Sequence, residues 1–171
     1  MPSDKQLCTF YVGESYFGIP VDQVQEVVRP QPITPVPLAP KVIRGLINLR
    51  GQILTAIDLR NRLGLGEPGD PANLINIVVR TTDSPVSFLV DEIGEVLDLD
   101  QKTFESPPET LQGDMRELIC GAYKLRDRLL LALSTERTIS LADSSAPTRE
   151  RDLGAATRFN QNGGTAERRI P

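Results

Sequence analysis

The chain has 171 residues, a net charge of −4, 39% hydrophobic and 25% charged residues, and no histidine. A chain of this size and composition builds one substantial core or two small ones in a globular protein. The missing histidine removes the commonest general base and transition-metal ligand, which excludes Ser-His-Asp, Cys-His and His-rich metal centres, and the acidic balance disfavours nucleic acid as a partner.

No apolar run approaches the ~18–20 residues that span a bilayer. Met1 to Lys5 lack the apolar region of a secretory signal, so a cytoplasmic chain with no membrane insertion is expected. Cys8 and Cys120 are too few and too far apart for a disulfide framework or a zinc knuckle, and both are expected to be buried as small hydrophobes.

Taken in order, Thr9–Val12 and Tyr16–Ile19 flank Gly13-Glu14-Ser15 and predict a hairpin. Val21 to Val28 fits a helical face as well as a strand, and the pattern leaves the choice open. Pro30, Pro32, Pro35, Pro37 and Pro40 then exclude a regular helix and a central strand, leaving an extended connection. Val42–Leu49 and Gln52–Ile57 predict two strands joined at Arg50-Gly51, with Gly51 supplying the positive φ of a two-residue turn. Leu59 to Leu63 predicts one helical turn stopped by Gly64. The loop from Gly64 to Ala72 contains no GxxxxGK[ST] phosphate cradle.

Leu74–Val79 and Val86–Val90 predict strands around a polar turn, followed by an apolar stretch at Ile93–Leu97. Asp100 to Arg116 reads mostly as loop. Ile119–Leu125 and Leu129–Leu133 predict a hairpin, the second strand apolar on both faces and therefore central in a barrel. Beyond Leu141, residues 142–171 read as a flexible tail.

The sequence also repeats itself. YFGIPVDQVQEVV, from Tyr16 to Val28, aligns without gaps on PVSFLVDEIGEVL, from Pro85 to Leu97. NLRGQILTAIDL, from Asn48 to Leu59, aligns on KLRDRLLLALST, from Lys124 to Thr135. Chance likeness among valine-rich strands is one explanation. The sharper one is two related all-β lobes, with repeats near 16–59 and 85–135 inside a single domain over 1–141, each lobe closed into a barrel that hides its sheet edges.

The carboxylates of Asp22 and Glu26 and of Asp91 and Glu95 are spaced by four, which on a helix could suggest an acid/base pair or a magnesium site. No third ligand or base lies in register, so solvated charge is the simpler reading, and no catalytic residue, cofactor or metal is expected. Arg50-Gly51 can be a solvated hairpin tip and nothing more. Arg50 also stands beside an apolar strand pair, where a guanidinium can anchor a protein contact.

Phe17–Val28 (FGIPVDQVQEVV), Val42–Leu65 (VIRGLINLRGQILTAIDLRNRLGL) and Val86–Leu99 (VSFLVDEIGEVLDL) resemble CheW-type chemotaxis adaptors over about Phe10 to Leu141. The resemblance implies an all-β fold with short helices, built as two SH3-like five-stranded barrel subdomains, and no enzymatic activity. It implies two partners: the cytoplasmic tip of chemoreceptors and the regulatory domain of a CheA-type histidine kinase. The chain would be a monomer alone and part of larger arrays at membrane receptors. Carried over residue by residue, Val24, Glu26, Gly45, Arg50 and Gly51 are the implied partner contacts. Alternatives are an adaptor of a non-flagellar pathway, such as pilus motility or second-messenger control, and a carboxylate-based metal-binding protein.

Overall fold

The computed structural model describes residues 5–67 and 70–144, with side chains placed as far as residue 140. The expected tail falls outside the described residues from position 145 onward. Eleven strands form two sheets. In chain order they are β1 (Lys5–Val12), β2 (Ser15–Pro20), β3 (Val24–Val28), β4 (Ile43–Leu49), β5 (Gln52–Asp58), β6 (Ile75–Val79), β7 (Val86–Val90), β8 (Glu92–Leu99), β9 (Phe104–Glu105), β10 (Ile119–Lys124) and β11 (Leu129–Leu133). The helices are α1 (Leu59–Arg62), α2 (Gly113–Leu118) and α3 (Thr135–Ser144).

The ambiguous stretch resolves into a 3-10 turn, Val21–Gln23, followed by β3. α1 starts where Asp58 accepts a hydrogen bond from the Asn61 N–H, and Gly64 at φ 68° ends the turn. The stretch expected to be mostly loop holds a 3-10 turn, β9 and the six-residue α2. Its polar composition hid α2, which buries only Leu118. α3 runs past the expected boundary at Leu141.

Lobe 1 is the sheet β8-β1-β2-β11-β10-β9, and lobe 2 is β3-β6-β7-β5-β4. Beyond β3 the chain bends back, and Thr34 exchanges two 2.8 Å backbone hydrogen bonds with Leu46 of β4. That crossing plays in lobe 2 the part β9 plays in lobe 1. The two orders then correspond strand for strand, as two SH3-like barrels. The repeat matches them in register. Phe17 pairs with Leu131 and Gly18 with Ala132 in the parallel β2–β11 ladder; their aligned counterparts, Val86 with Thr55 and Ser87 with Ala56, pair likewise between β7 and β5.

A repeat unit is not a lobe, however. The first repeat places β2 in lobe 1 but β3, β4 and β5 in lobe 2, and the second reverses this, with β7 in lobe 2 and β8, β10 and β11 in lobe 1. The chain therefore crosses between lobes after β2 and again after β7. Sequence similarity marks equivalent strands and carries no information on which sheet receives them.

The consequence is a shared core. Phe10, Phe17 and Leu131 of lobe 1 pack in one cluster with Ile57, Ile77 and Phe88 of lobe 2. Alternate residues on the same strands point into each barrel, Tyr16 and Leu130 in lobe 1, Val78 and Leu89 in lobe 2. β2, β7 and β11 are apolar on both faces because each lies between a barrel interior and the inter-lobe core. The central position expected for β11 is observed.

Candidate functional site

Lobe 2 carries the sequence-predicted residues, and its β4–β5 turn organises them. Arg50 (φ 52°) and Gly51 (φ 86°) both lie in the left-handed region, the pattern of a type I′ turn. The Asn48 side-chain oxygen accepts a hydrogen bond from the Gly51 N–H at 2.9 Å. This geometry sends the Arg50 guanidinium across the seam of the barrel to Glu26 on β3, with contacts of 2.7 and 3.3 Å to the two carboxylate oxygens. Arg50 remains 73% exposed at its side chain and Glu26 23%. Most of the cation therefore stays available to a partner, with its direction fixed by the pair.

The other two candidates lie differently. Val24 is half-buried and packs against the central core. Gly45 is buried in β4 at a bulge, at φ 152°, where a Cβ would run into the Thr34 carbonyl. Its counterpart Gly121 sits at the equivalent bulge of β10, where a Cβ would meet Phe104 and the Glu105 carbonyl. Both glycines admit the crossing segment that closes a barrel. Glu26, Arg50 and Gly51 thus form one corner, while Val24 lies against the inter-lobe core and Gly45 at the crossing with Thr34.

The aligned positions in lobe 1 are Glu95 and Arg126-Asp127. Neither Arg126 nor Asp127 has positive φ. Among the described residues Glu95 and Arg126 form no ion pair; the turn instead places Asp127 3.5 Å from Arg128. Arg128 lies 4.8 Å from the Tyr16 ring, which stacks on Tyr11 at 4.6 Å. Glycine in one turn and aspartate in the other thus give the two lobes different charge arrangements at equivalent corners.

Sequence reasoning missed the exposed apolar positions. Val27 (44% exposed) and Ile53 (56%) in lobe 2 have Val96 (58%) and Leu129 (39%) as their aligned counterparts in lobe 1. The repeat held the signal, since each pair is apolar at the same aligned place. Strand alternation concealed it, because the bulge between Val24 and Glu26 shifts which β3 residues face outward. Cys120 also differs from expectation. It occupies the β10 bulge between Ile119 and Gly121 and is exposed, whereas Cys8 is buried, which pushes its thiol pKa up.

Two of the four carboxylates of the alternative metal reading have other partners. Glu26 faces Arg50, and Asp91 faces Arg60 while accepting from the Gly13 N–H at 2.6 Å. Among the described residues no group of three His, Cys, Asp or Glu side chains is arranged to hold a metal ion. No described helix is long and apolar enough to cross a membrane.

A family profile described as "CheW-like domain" matches residues 6–143. The chain belongs to the CheW family. These are chemotaxis adaptor proteins, and relatives are spread widely. The chain is 32% identical to "Chemotaxis protein CheW" of Treponema pallidum over 139 residues, 79% of this chain and 82% of that protein. It is 31% identical to "Chemotaxis protein CheW" of Bacillus subtilis over 142 residues, 83% of this chain and 91% of that one. Among solved structures, the scaffolding protein TtCheW from Thermoanaerobacter tengcongensis superposes with a TM-score of 0.68 at 32% identity, covering 78% of this chain and 90% of the other. The CheW match spans both barrels, so the Glu26–Arg50 corner and its lobe 1 counterpart both belong to the shared fold.

Proposed function

We propose that this CheW-family chain is a non-enzymatic adaptor that couples the cytoplasmic tips of chemoreceptors to the regulatory domain of a CheA-type histidine kinase. The observation that carries the reading is the duplication of exposed apolar residues, Val27 and Ile53 on one lobe and Val96 and Leu129 on the other. Apolar side chains kept in water at aligned positions of both lobes do nothing for an isolated fold, and they suit two docking faces on a single rigid body.

The corner of Glu26, Arg50 and Gly51 gives lobe 2 a directed cation beside its apolar contacts, which sets orientation and discriminates between partners. Lobe 1 offers the same apolar positions with a different charge arrangement, so the faces can take different partners. Each contact is modest alone. Binding two partners at once raises the effective concentration of each for the other, which suits a cytoplasmic protein held in receptor arrays.

The test is co-purification with the kinase and the receptor encoded in the same genome. Wild-type chain is expected to retain both. Arg50→Glu is expected to lose at least one of them while keeping a native circular dichroism spectrum and a melting temperature only slightly below that of wild type. Normal retention of both partners by a folded Arg50→Glu protein would remove the corner from the docking role.

A further inference from the structure

The repeat aligns the two lobes residue by residue, and at one place their chemistry parts. With Asn48 on Lys124, the β4 bulge residue Arg44 falls on Cys120 at the β10 bulge, Ile47 on Tyr123, and Asp58 on Ser134. In lobe 2 Arg44 and Asp58 bridge at 3.0 Å, and Ile47 fills the barrel at 1% exposure. Lobe 1 has an exposed thiol and a serine in place of the ion pair, and Tyr123, 2% exposed, in place of the isoleucine. The three lobe 1 residues line an open cleft of about 200 Å³.

The cleft gathers polar groups that the fold does not use. No described residue hydrogen-bonds the Tyr123 hydroxyl, although the side chain is buried. A hydroxyl taken out of water without a partner is costly, and Ile47 shows that the sister barrel closes without one. Burial, and then the neighbouring Cys120, push the Tyr123 pKa up, so the hydroxyl keeps its proton and acts as a donor. Lys5 and Glu136 line the same cleft, both exposed, and among the described residues neither sits in an ion pair. The Cys120 thiol donates to the Ala132 carbonyl at 3.2 Å, which holds the sulfur at the cleft. Leu7 and Phe104 supply apolar wall. A cavity of ~150 Å³ takes benzene, so this cleft has room for a group the size of one amino acid.

We propose that Cys120 is a site of reversible modification by an amino-acid disulfide, cystine, whose retained half lies in the cleft beside Tyr123. A donor, a cation and an anion around one sulfur match a zwitterion. The Tyr123 hydroxyl and Lys5 meet its carboxylate, and Glu136 meets its ammonium. The Cys120 thiolate attacks one sulfur of cystine, and a new S–S bond forms as the old one breaks. The departing cysteine thiolate takes up the proton that Cys120 released. Cys120 is thereby oxidised and one half of cystine reduced, with no further oxidant. Excess free thiol reverses the exchange, so the adduct marks a rise in disulfide around the protein.

The test compares cystine with an uncharged disulfide, bis(hydroxyethyl) disulfide. Adduct formation at Cys120 of the full chain is timed by peptide mass mapping, in native buffer and in denaturing urea. The ratio of the two rates cancels thiol exposure and reports recognition alone. Folded wild type should favour cystine by about 5-fold or more over the ratio in urea. Lys5→Gln, Glu136→Gln and Tyr123→Phe should each lower the folded ratio by roughly 3-fold and leave the rate with the uncharged disulfide unchanged. Tyr123→Phe should also melt no lower than wild type, since the hydroxyl it removes bonds nothing in the fold. Equal ratios in the folded and unfolded chain overturn the proposal and reduce Cys120 to an accessible thiol. An unchanged ratio in Tyr123→Phe overturns it too, as does a lowered melting temperature of that variant, which would give the hydroxyl to the fold.

Discussion

Arg50 and Glu26 lie 24 residues apart and meet at 2.7 Å across the line where the lobe 2 barrel closes, the arginine from the tip of one hairpin and the glutamate from the strand at the opposite end of the sheet. Because the pair is exposed on the arginine side, it adds little to stability, on the order of 0.2–1 kcal/mol as for other surface pairs. Its value is direction. The exchange Glu26→Arg with Arg50→Glu should therefore restore melting to within a degree or two of wild type after either single change lowers it slightly. Partner binding should stay impaired in the exchanged protein, since the charge presented outward is reversed. Recovery of binding together with melting would make the pair purely structural.

Gly45 and Gly121 should behave as a matched set. A Cβ at either meets a backbone carbonyl of the crossing segment, which flexible side chains cannot relieve. Gly45→Ala and Gly121→Ala are each expected to cost about 2–4 kcal/mol in urea denaturation, at the upper end of ordinary point mutations. Gly51→Ala offers the contrast. Nothing lies within 4 Å of a Cβ there, and only its φ of 86° is unfavourable, so a loss near 1 kcal/mol is expected. Equal losses at all three positions would refute the crossing as the cause.

The strands and the repeat were legible because they rest on local chemistry: β-branched runs, Gly51 at a turn, prolines where pairing stops. The aligned residues even coincide in ladder register, Gly18 with Ala132 and Ser87 with Ala56. What stayed hidden depends on contacts distant in sequence. The exchange of strands between lobes is decided by the shared core around Phe17 and Phe88, and no local pattern records which sheet a strand joins. Cys120 and Val27 face outward because of bulges, which shift alternation by one residue and leave composition untouched. The charged corner was half legible: Arg50 and Glu26 could be named, but their meeting required the barrel to close.

The shared core implies that neither lobe is stable without the other. Phe88 is fully buried between the sheets, and Phe88→Ala should cost about 3–5 kcal/mol. Native-state hydrogen exchange should then accelerate by similar factors in β10 and β11 of lobe 1 and in β4 and β5 of lobe 2. Acceleration confined to lobe 2 would show that the lobes unfold independently.

The thiols give a chemical readout of the same packing. Cys120 should react with a disulfide reagent within minutes in the native protein, and Cys8 only on unfolding. Burial raises the Cys8 pKa above the ordinary thiol value of 9.0, so its folded form holds a proton that the unfolded form releases. That contribution to stability is complete below pH ~9 and is lost as the pH climbs through the raised value. Cys8→Ser should flatten the fall in stability above pH 9, whereas Cys120→Ser should leave it unchanged.

Asp22 and Asp91 occupy the same place in the repeat, one at each crossing between lobes, and among the described residues only the Asp91 carboxylate is tied across the junction. Its carboxylate accepts from the Gly13 N–H in lobe 1 and pairs with Arg60 in lobe 2, whose Nε is buried without a partner. Asp91→Asn keeps the shape but removes the charge facing that guanidinium, and should cost roughly 1–3 kcal/mol in urea denaturation. The Asp22 side chain is exposed, so Asp22→Asn should fall within ~0.5 kcal/mol of wild type. The asymmetry should also appear in salt dependence, with raised ionic strength narrowing the gap between wild type and Asp91→Asn and leaving Asp22→Asn unaffected. Equal effects of the two changes would mean that the crossing itself, and not its anchoring to both lobes, sets the energetics of the junction.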